Sequence, residues 1–399
     1  MNGAGSSRRD VAVDAVRGTA LLGSSVATAL LWLGGRQLGT GFRPVGGTRV
    51  DRAVDVVTAV LVDNRALPVF ALLLGYGVAR RMRHRQRATG LHTAPDEAEW
   101  GDALRRAGLL LGLGALHAAF VLESDVLGTL AVLLVAAVPL VRARTAVHVV
   151  VVLLVVPALL VNGAVDGLGG TAGFPDPPQD YLLSVVDRVG TWLLALVLLL
   201  PGQSGLVVAL VVGIRLARSG WGSDPAAHRR GLVLLGGAAG ALGVAGALPY
   251  ARVLGAGVVP DVVDGLVAGV LDSVSGPAGA LGAVCLGLLA TTAVGRAGTG
   301  SGTGTGAGSR VLAALALLGR VSLQVYLAHS LVLGLVLAPW AGGAGERWGS
   351  AHVTGLALAL WLLTFVAALV LGPRTRSGRA RPGGSQPSER QGRERSSAT

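Results

Sequence analysis

The sequence contains no lysine, a single cysteine and few charged or aromatic residues. Charged side chains make up 14% of the 399 residues and aromatic ones 4%, whereas hydrophobic residues make up 52%. A soluble domain carries about 25% charged residues, so this composition excludes a soluble globular protein and indicates a chain embedded in lipid. Cys285, in an apolar run, excludes a disulfide framework and a thiolate metal site. Without lysine there is no Walker phosphate loop either.

Glycine and arginine, in contrast, are abundant. The 62 glycines follow no three-residue period, which excludes collagen and favours close packing of membrane helices. All 34 basic residues are arginine and the net charge is +12. The distribution of these arginines indicates membrane topology and not binding to nucleic acid.

Apolar windows without Asp, Glu or Arg predict the membrane spans, each of which needs about 20 residues. An amphipathic helix before Asn64 completes the short second window, and Pro201 divides the sixth. We interpret the first part of that window as a surface-lying or half-inserted helix and Leu206 to Arg218 as the span, with two short spans as the alternative. The ten windows are residues 18–35, 66–79, 107–122, 126–141, 145–165, 189–214, 231–251, 273–295, 321–345 and 348–373.

The positive-inside rule orients these spans, since short loops rich in arginine stay in the cytoplasm. With the N-terminus inside and ten spans, 26 arginines fall inside and 8 outside. The sequence therefore predicts an all-α, polytopic integral membrane helix bundle of about ten helices with both termini cytoplasmic. The first span is interpreted as a retained signal anchor. The predicted regions are a cytoplasmic tail at 1–9, a transmembrane domain at 10–372 and a disordered basic tail at 373–399, with a cytoplasmic loop at 80–104 and a flexible linker at 296–309.

Ionisable residues near the ends of the first two spans are candidates for function, because such groups are costly in a membrane. Asp14 and Arg17 are three residues apart and share a helix face, as an interfacial ion pair or as an anion site on the cytoplasmic side. Arg65 follows Asn64 at the outer end of the second span. Its guanidinium either snorkels to the surface or points into the bundle.

The segment LGALHAAFVLESDVLG places His117 within the third span and Glu123 and Asp125 at the following turn. A neutral imidazole can act as a general acid or base near pH 7, and a carboxylate can orient it. On a continuous helix the eight residues between His117 and Asp125 would span about 12 Å, so a direct bond requires the chain to turn back. A structural histidine bonded to a neighbouring helix is the alternative.

A second polar cluster lies in the segment GRVSLQVYLAHS at residues 319–330. Three of its residues recur three and four apart, so they share a helix face and could line a substrate pocket, or serve as packing hydrogen bonds between helices. The sequence shows no Ser-His-Asp order, paired-histidine spacing or HExxH motif, which argues against hydrolase and metalloprotease functions. The candidate substrate-binding residues here are Arg320, Ser322, Tyr326, His329 and Ser330.

Four blocks of the sequence together resemble the YeiB-like family of bacterial membrane proteins, described as domain of unknown function 418. The blocks are DAVRGTALLG, NRALPVFALLLGYG, LHAAFVLESDVLGTLAVL and GRVSLQVYLAHS. The resemblance covers residues 10–372 and implies a multi-pass protein of the bacterial cytoplasmic membrane. The positions that match the family pattern are Asp14, Arg17, Gly18, Arg65, Gly75, Gly77, His117, Asp125, Gly319, Arg320, Ser322, Tyr326 and Ser330.

The YeiB-like family is in turn distantly similar to membrane-embedded acyltransferases that use cytoplasmic acyl-CoA. That similarity implies that Arg17 and Arg320 hold the CoA phosphates, while His117, oriented by Asp125, is the base on an envelope glycan or lipid acceptor. The catalytic histidine of those relatives lies between the first two spans, where residues 18–83 contain no histidine. We expect no tightly bound cofactor and no metal. The alternative is a small-solute transporter or channel, although no repeat relates the two halves of the chain.

Overall fold

The structure is a computed structural model that describes residues 4–35, 37–89, 97–122, 124–169, 180–197, 199–300 and 307–371, with backbone alone at 4–10, 87–89, 199–202 and 295–300. Several sequence predictions fall wholly or partly outside these residues. They concern residues 1–3 of the predicted N-terminal tail, Glu123, the middle of the 80–104 loop, residues 301–306 of the predicted linker and the tail at 373–399.

Helices account for nearly all of the described residues, and the predicted all-α class is confirmed. No strand forms in the described ranges, where a single isolated bridge pairs Leu38 with Pro44. A 3₁₀ turn lies at Thr40–Phe42. The helices are α1 Ala4–Leu30, α2 Arg49–Leu61, α3 Ala66–Thr89, α4 Glu97–Phe120, α5 Val126–Leu140, α6 Thr145–Leu168, α7 Tyr181–Val197, α8 Leu199–Ser219, α9 Arg229–Ala256, α10 Val262–Gly300, α11 Ala307–Arg320, α12 Ser322–Leu337, α13 Ala344–Arg347 and α14 Ser350–Leu371.

Five helical segments within the described residues are long and apolar enough to cross a membrane, as is typical of a membrane protein. A sixth is added if α11 and α12, bent by 79°, are counted together. The prediction of ten spans is not confirmed, because α5 and α12 have 15 and 16 residues, fewer than the about 20 that one span needs. The five segments are Arg49–Gln86, Thr145–Leu168, Arg229–Ala256, Val262–Val294 and Ser350–Leu371.

Several predicted boundaries differ from the helices that form. The 80–104 loop was predicted between two spans, but α3 continues through Thr89 and α4 begins at Glu97. The predicted linker at 296–309 overlaps the end of α10 and the start of α11. The window at 321–345 contains α12, which ends at Leu337, and the short α13. In the sixth window α8 has a non-helical residue at Gln203, two residues after Pro201.

Glycines allow the closest helix contacts, as their abundance predicted. A Cβ atom on Gly319 would collide with the backbone carbonyl of Asp14, and one on Gly18 with that of Leu315, so α1 and α11 touch backbone to backbone. The same holds for Gly163 and Gly269 between α6 and α10. Close backbone approach replaces side-chain interdigitation at these crossings.

One end of the bundle collects arginines from α3, from α8 and from the turn after α5, and we call it the basic end. Here Arg83 of α3 donates to the carbonyl of Ala217 at 2.6 Å, and Arg218 of α8 donates to the carbonyl of Ala143 at 2.7 Å. Arg142, just after α5, pairs with Glu99 of α4 at 2.8 Å. Since α3, α5 and α8 finish here and α4 and α6 begin, the turn between α4 and α5 lies at the opposite end.

Candidate functional site

The α4–α5 turn brings His117 and Asp125 into direct contact. His117 lies in the last turn of α4, the chain reverses after Phe120, and Asp125 forms the N-cap of α5. The Oδ2 atom of Asp125 accepts from the backbone N–H groups of Leu127 and Gly128 at 2.9 and 3.2 Å. Its Oδ1 atom lies 2.9 Å from Nδ1 of His117. The reversal that a direct bond requires is therefore present, and the predicted orientation of His117 by Asp125 is geometrically satisfied.

The other nitrogen of His117 contacts a hydroxyl on a third helix. Nε2 of His117 lies 2.8 Å from Oγ of Ser330 on α12. With the Nδ1 proton donated to the carboxylate, Nε2 is left to accept from the Ser330 hydroxyl. We call this chain of contacts, Ser330–His117–Asp125, the relay. The order of these residues in the sequence did not predict the arrangement, because two segments distant in sequence supply its three members.

The relay is closed off from solvent in this conformation. His117 is 5% exposed, Asp125 3% and Ser330 1%. Tyr326, one turn before Ser330 on α12, donates its hydroxyl to Oδ1 of Asp125 at 3.4 Å, and its ring centre lies 5.4 Å from that of His117. Tyr326 thus adds a second donor to Oδ1, the carboxylate oxygen that orients the imidazole.

His329 does not belong to the relay, although the sequence grouped it with Tyr326 and Ser330 on one face. Its Nδ1 atom lies 2.7 Å from the hydroxyl of Ser25 on α1, and its Nε2 atom 3.3 Å from that of Thr364 on α14. Adjacent residues of a helix point about 100° apart, so His329 faces α1 and α14 while Ser330 faces α4. The structure therefore does not bring His329 together with Tyr326 and Ser330, and the contacts of His329 are of the helix-packing kind that the sequence offered as the alternative.

Asp14 and Arg17 lie where α1 and α11 cross, and Arg320 follows the glycine at this crossing. Nη1 of Arg17 donates to Oδ1 of Asp14 at 3.1 Å, so the predicted pair on one helix face forms. The backbone contact between Gly319 and Asp14 brings the next residue, the exposed Arg320, to the same crossing. Ser322 begins α12 just after the bend. The nine positions from Val321 to Ser330 correspond to about 14 Å of helix, which separates this crossing from the relay.

Arg65 points into the bundle, so the snorkelling alternative is excluded. Its Nη1 atom donates to Oδ1 of Asp272 on α10 at 2.8 Å, and its Nη2 atom donates to the carbonyl of Gly243 on α9 at 2.7 Å. Asn64 donates to Asp272 at 2.9 Å and to Asp166 on α6 at 3.2 Å. A buried polar network thus joins α3, α6, α9 and α10.

Sequence reasoning missed the acidic partners in this network and the arginine beside it. Arg43, in the loop before α2, donates through Nη2 to both carboxylate oxygens of Asp63 at 2.9 and 2.7 Å. Burial by itself lowers the pKa of Arg43, but Asp63 and Asp55 outweigh it and hold that pKa above its ordinary value. The apolar windows ended wherever Asp, Glu or Arg occurred. Acids that lie on the same helix as an apolar run, but beyond its end, were therefore not predicted as site residues.

The relay has the arrangement of a general base, with an oriented imidazole and a hydroxyl within hydrogen-bond distance. In the described residues no group of three or more His, Cys, Asp or Glu side chains is placed to hold a metal ion. The Cys285 thiol is buried in α10. The chemistry available at the relay is therefore proton transfer to and from a hydroxyl.

Comparison with known proteins gives one match. The family described as a protein of unknown function (DUF418) matches residues 216–378. This segment contains the GRVSLQVYLAHS block, with Tyr326 and Ser330, and begins after the segment that holds His117 and Asp125. The chain matches none of the curated proteins and none of the solved structures with which it was compared.

Proposed function

We propose that the protein is a membrane-embedded acyltransferase. Residues 216–378 match the DUF418 family, whose description states no function, so the support for this proposal comes from the relay. The observation that supports this is the pair of contacts at 2.9 and 2.8 Å that link Asp125, His117 and Ser330. A buried imidazole held between a carboxylate and a hydroxyl is the arrangement that activates a hydroxyl as a nucleophile.

The proposed reaction has two steps. In the first, Oγ of Ser330 attacks the thioester carbonyl of an acyl-CoA while Nε2 of His117 takes the hydroxyl proton. The tetrahedral intermediate collapses, the C–S bond breaks, and CoA leaves as the thiol after receiving that proton. In the second, His117 deprotonates a hydroxyl of an envelope glycan or lipid, which attacks the acyl ester. The bond between the acyl carbon and Oγ of Ser330 breaks, and Oγ receives the proton from His117, which restores both residues. Asp125 keeps its negative charge and stabilises the imidazolium formed in each step.

The donor phosphates are assigned to the crossing of α1 and α11. Arg17 and the exposed Arg320 supply two guanidinium groups there, and Arg binds phosphate through paired donors. The about 14 Å of α12 from this crossing to Ser330 is the distance that the thioester arm has to span. Since Ser330 is closed off, α4, α5 and α12 must separate before a substrate reaches it.

We further propose a setting in the bacterial cytoplasmic membrane, with about ten spans and both termini in the cytoplasm. The 26 to 8 division of arginines supports this orientation. Five or six segments are long and apolar enough to be membrane spans, and shorter helices within the bundle, of which α5 is one, would then supply the remaining spans.

The test is transfer of label from radiolabelled acyl-CoA in membranes that contain the full chain, over several acyl lengths. Label should reach a lipid or glycan with the native protein, and not with His117→Ala, Ser330→Ala or Arg17→Ala. Ser25→Ala and His148→Gln are matched controls, since Ser25 and His148 are buried and hydrogen-bonded but lie outside the relay. Unconsumed acyl-CoA at every chain length would overturn the proposal.

A second outcome separates two versions of the chemistry. Without acceptor, label should accumulate on the native protein itself and be absent from Ser330→Ala. If Ser330→Ala still transfers label while His117→Ala does not, His117 acts directly on the acceptor and Ser330 only positions the imidazole of His117.

The network around Asn64 favours a second candidate function, transport of a small solute or ion. Asn64 donates to two carboxylates, of Asp166 and Asp272, and Arg65 pairs with Asp272. Ionisable groups within a membrane bundle often mark ion and proton pathways. Transport predicts that Asp166→Asn abolishes solute flux in proteoliposomes while Ser330→Ala leaves it intact. If the protein is an acyltransferase, Ser330→Ala abolishes label transfer while Asp166→Asn leaves it intact.

A further inference from the structure

A pocket at the basic end combines arginine side chains with an apolar wall. It lies between α3, α4 and α5 and has a volume of about 40 Å³. Arg81 and Arg85 of α3 are four residues apart and share a helix face, and Arg106 of α4 stands across from them. The apolar wall consists of Val78, Met82, Ala103, Leu134 and Val138.

Positive charge exceeds negative charge around this pocket. Two acids line it, and both have arginine partners: Asp102 contacts Arg106 at 3.0 Å and Arg105 at 3.5 Å, while Glu99 contacts Arg142 at 2.8 Å. Among the described residues that line the pocket, the arginines Arg81, Arg85 and Arg106 thus outnumber the two carboxylates. The surplus favours an anionic ligand, and the fork of Arg suits phosphate.

The pocket lies where α4 passes from a charged to an apolar surface. The side chain of Arg105 is 73% exposed, while the neighbouring Leu104 and Leu109, and further along Leu113 and Leu116, are exposed without a covering helix. Exposed leucines along a helix of a membrane protein face the acyl chains, so the arginines beside them stand at headgroup level. A ligand here would therefore have its phosphate among the arginines and its chains along α4.

We propose that this pocket is a binding site for an anionic phospholipid. The proposal stands independently of the relay and of acyl transfer. The same chemistry, a phosphate joined to an acyl chain, is also present in long-chain acyl-CoA, and the position of the pocket beside the exposed leucines favours the bilayer as its source. Basic pockets between membrane helices bind lipid headgroups in this way.

The experiment is native mass spectrometry of the full chain released from nanodiscs that contain equal amounts of phosphatidylglycerol and phosphatidylcholine. The native protein should retain phosphatidylglycerol in preference to phosphatidylcholine. Arg81→Gln with Arg85→Gln should reduce that preference about 25-fold, since each arginine at a membrane surface contributes about fivefold. Arg81→Lys with Arg85→Lys keeps the charge and should retain most of the preference for phosphatidylglycerol. This variant also shows that the pocket folds without the two arginines.

The matched control is Arg229→Gln with Arg230→Gln, which removes the same charge from the start of α9, outside the pocket. An equal loss of preference in this control, or no loss in the Arg81 and Arg85 double variant, would overturn the site. Displacement of the retained phosphatidylglycerol by micromolar palmitoyl-CoA, with the mass of acyl-CoA appearing on the protein, would overturn the phospholipid assignment and give the pocket to a soluble acyl donor.

Discussion

Asp125 uses its two carboxylate oxygens for different partners, one for the N-terminus of α5 and one for His117. Asp125→Asn should keep an acceptor for the Leu127 and Gly128 N–H groups, while removing the charge that orients and stabilises the imidazole. We expect acyl transfer to fall about 100- to 10 000-fold, the range for loss of acid–base catalysis, with little change in thermal stability. The measurement is the transfer rate in membranes beside a melting curve in detergent.

Asp180 offers the matched control for that substitution. It also accepts a backbone N–H at a helix start, from Leu183 at 2.9 Å, but it is exposed and contacts no histidine. Asp180→Asn should leave transfer unchanged. Equal loss in both variants, or loss of stability that parallels loss of transfer in Asp125→Asn, would show that the carboxylate serves the fold and not the reaction.

At the scale of helices, the crossing of α1 and α11 depends on the absence of a side chain at Gly319. Gly319→Ala should lower the free energy of unfolding by about 1–3 kcal/mol, because the added methyl group collides with the carbonyl of Asp14 and must push the helices apart. Gly355→Ala in α14, where a Cβ atom meets open space, should instead raise it by up to about 1 kcal/mol through helix propensity. Thermal unfolding in detergent measures the stability of both variants. A change of stability in the same direction for the two variants would contradict the packing argument.

Sequence reasoning predicted helices better than it predicted how they end and meet. Apolar windows without charged residues identified the cores of α6, α9 and α14, because the residues of these helices are apolar on nearly every face. The predicted window for α10 was too short, since Asp264 and Asp272 interrupt the apolar run. The helix begins at Val262 and not at residue 273. Which helices pack beside a side chain decides its partners, so the contacts of His329 with Ser25 and of Ser330 with His117 could not be read from the spacing of residues on α12.

The candidate site was predicted in parts. His117, Asp125, Tyr326 and Ser330 were each named from the sequence, because polar groups are rare in apolar segments and therefore conspicuous. Their assembly was not predicted, since Ser330 lies 213 residues from His117 and no local pattern reports such a contact. Asp166, Asp272 and Arg43 were missed because they lie at the margins of apolar runs, where charged residues usually face water.

For the whole molecule, the division between the basic end and the opposite end predicts a fixed orientation in the membrane. Cys285 is the single cysteine, so Cys285→Ala gives a background for site-directed labelling. Ala227 lies in the exposed turn before α9 at the basic end, and Ala341 is exposed at the opposite end, before α13. In intact cells an impermeant maleimide should label Ala341→Cys and spare Ala227→Cys, because arginine-rich loops stay in the cytoplasm. Labelling only Ala227→Cys would invert the topology; after permeabilisation both should react.

The relay also bears on how this chain can be divided. Its hydroxyl comes from the segment that matches the family, while its imidazole and carboxylate come from the α4–α5 turn. A fragment restricted to residues 216–378 thus encloses one member of a three-member arrangement. The segment that matches the family is therefore shorter than the segment that the relay requires. A truncated or chimaeric protein needs both the α4–α5 turn and α12 in the same bilayer before a proton can move from Ser330 to His117.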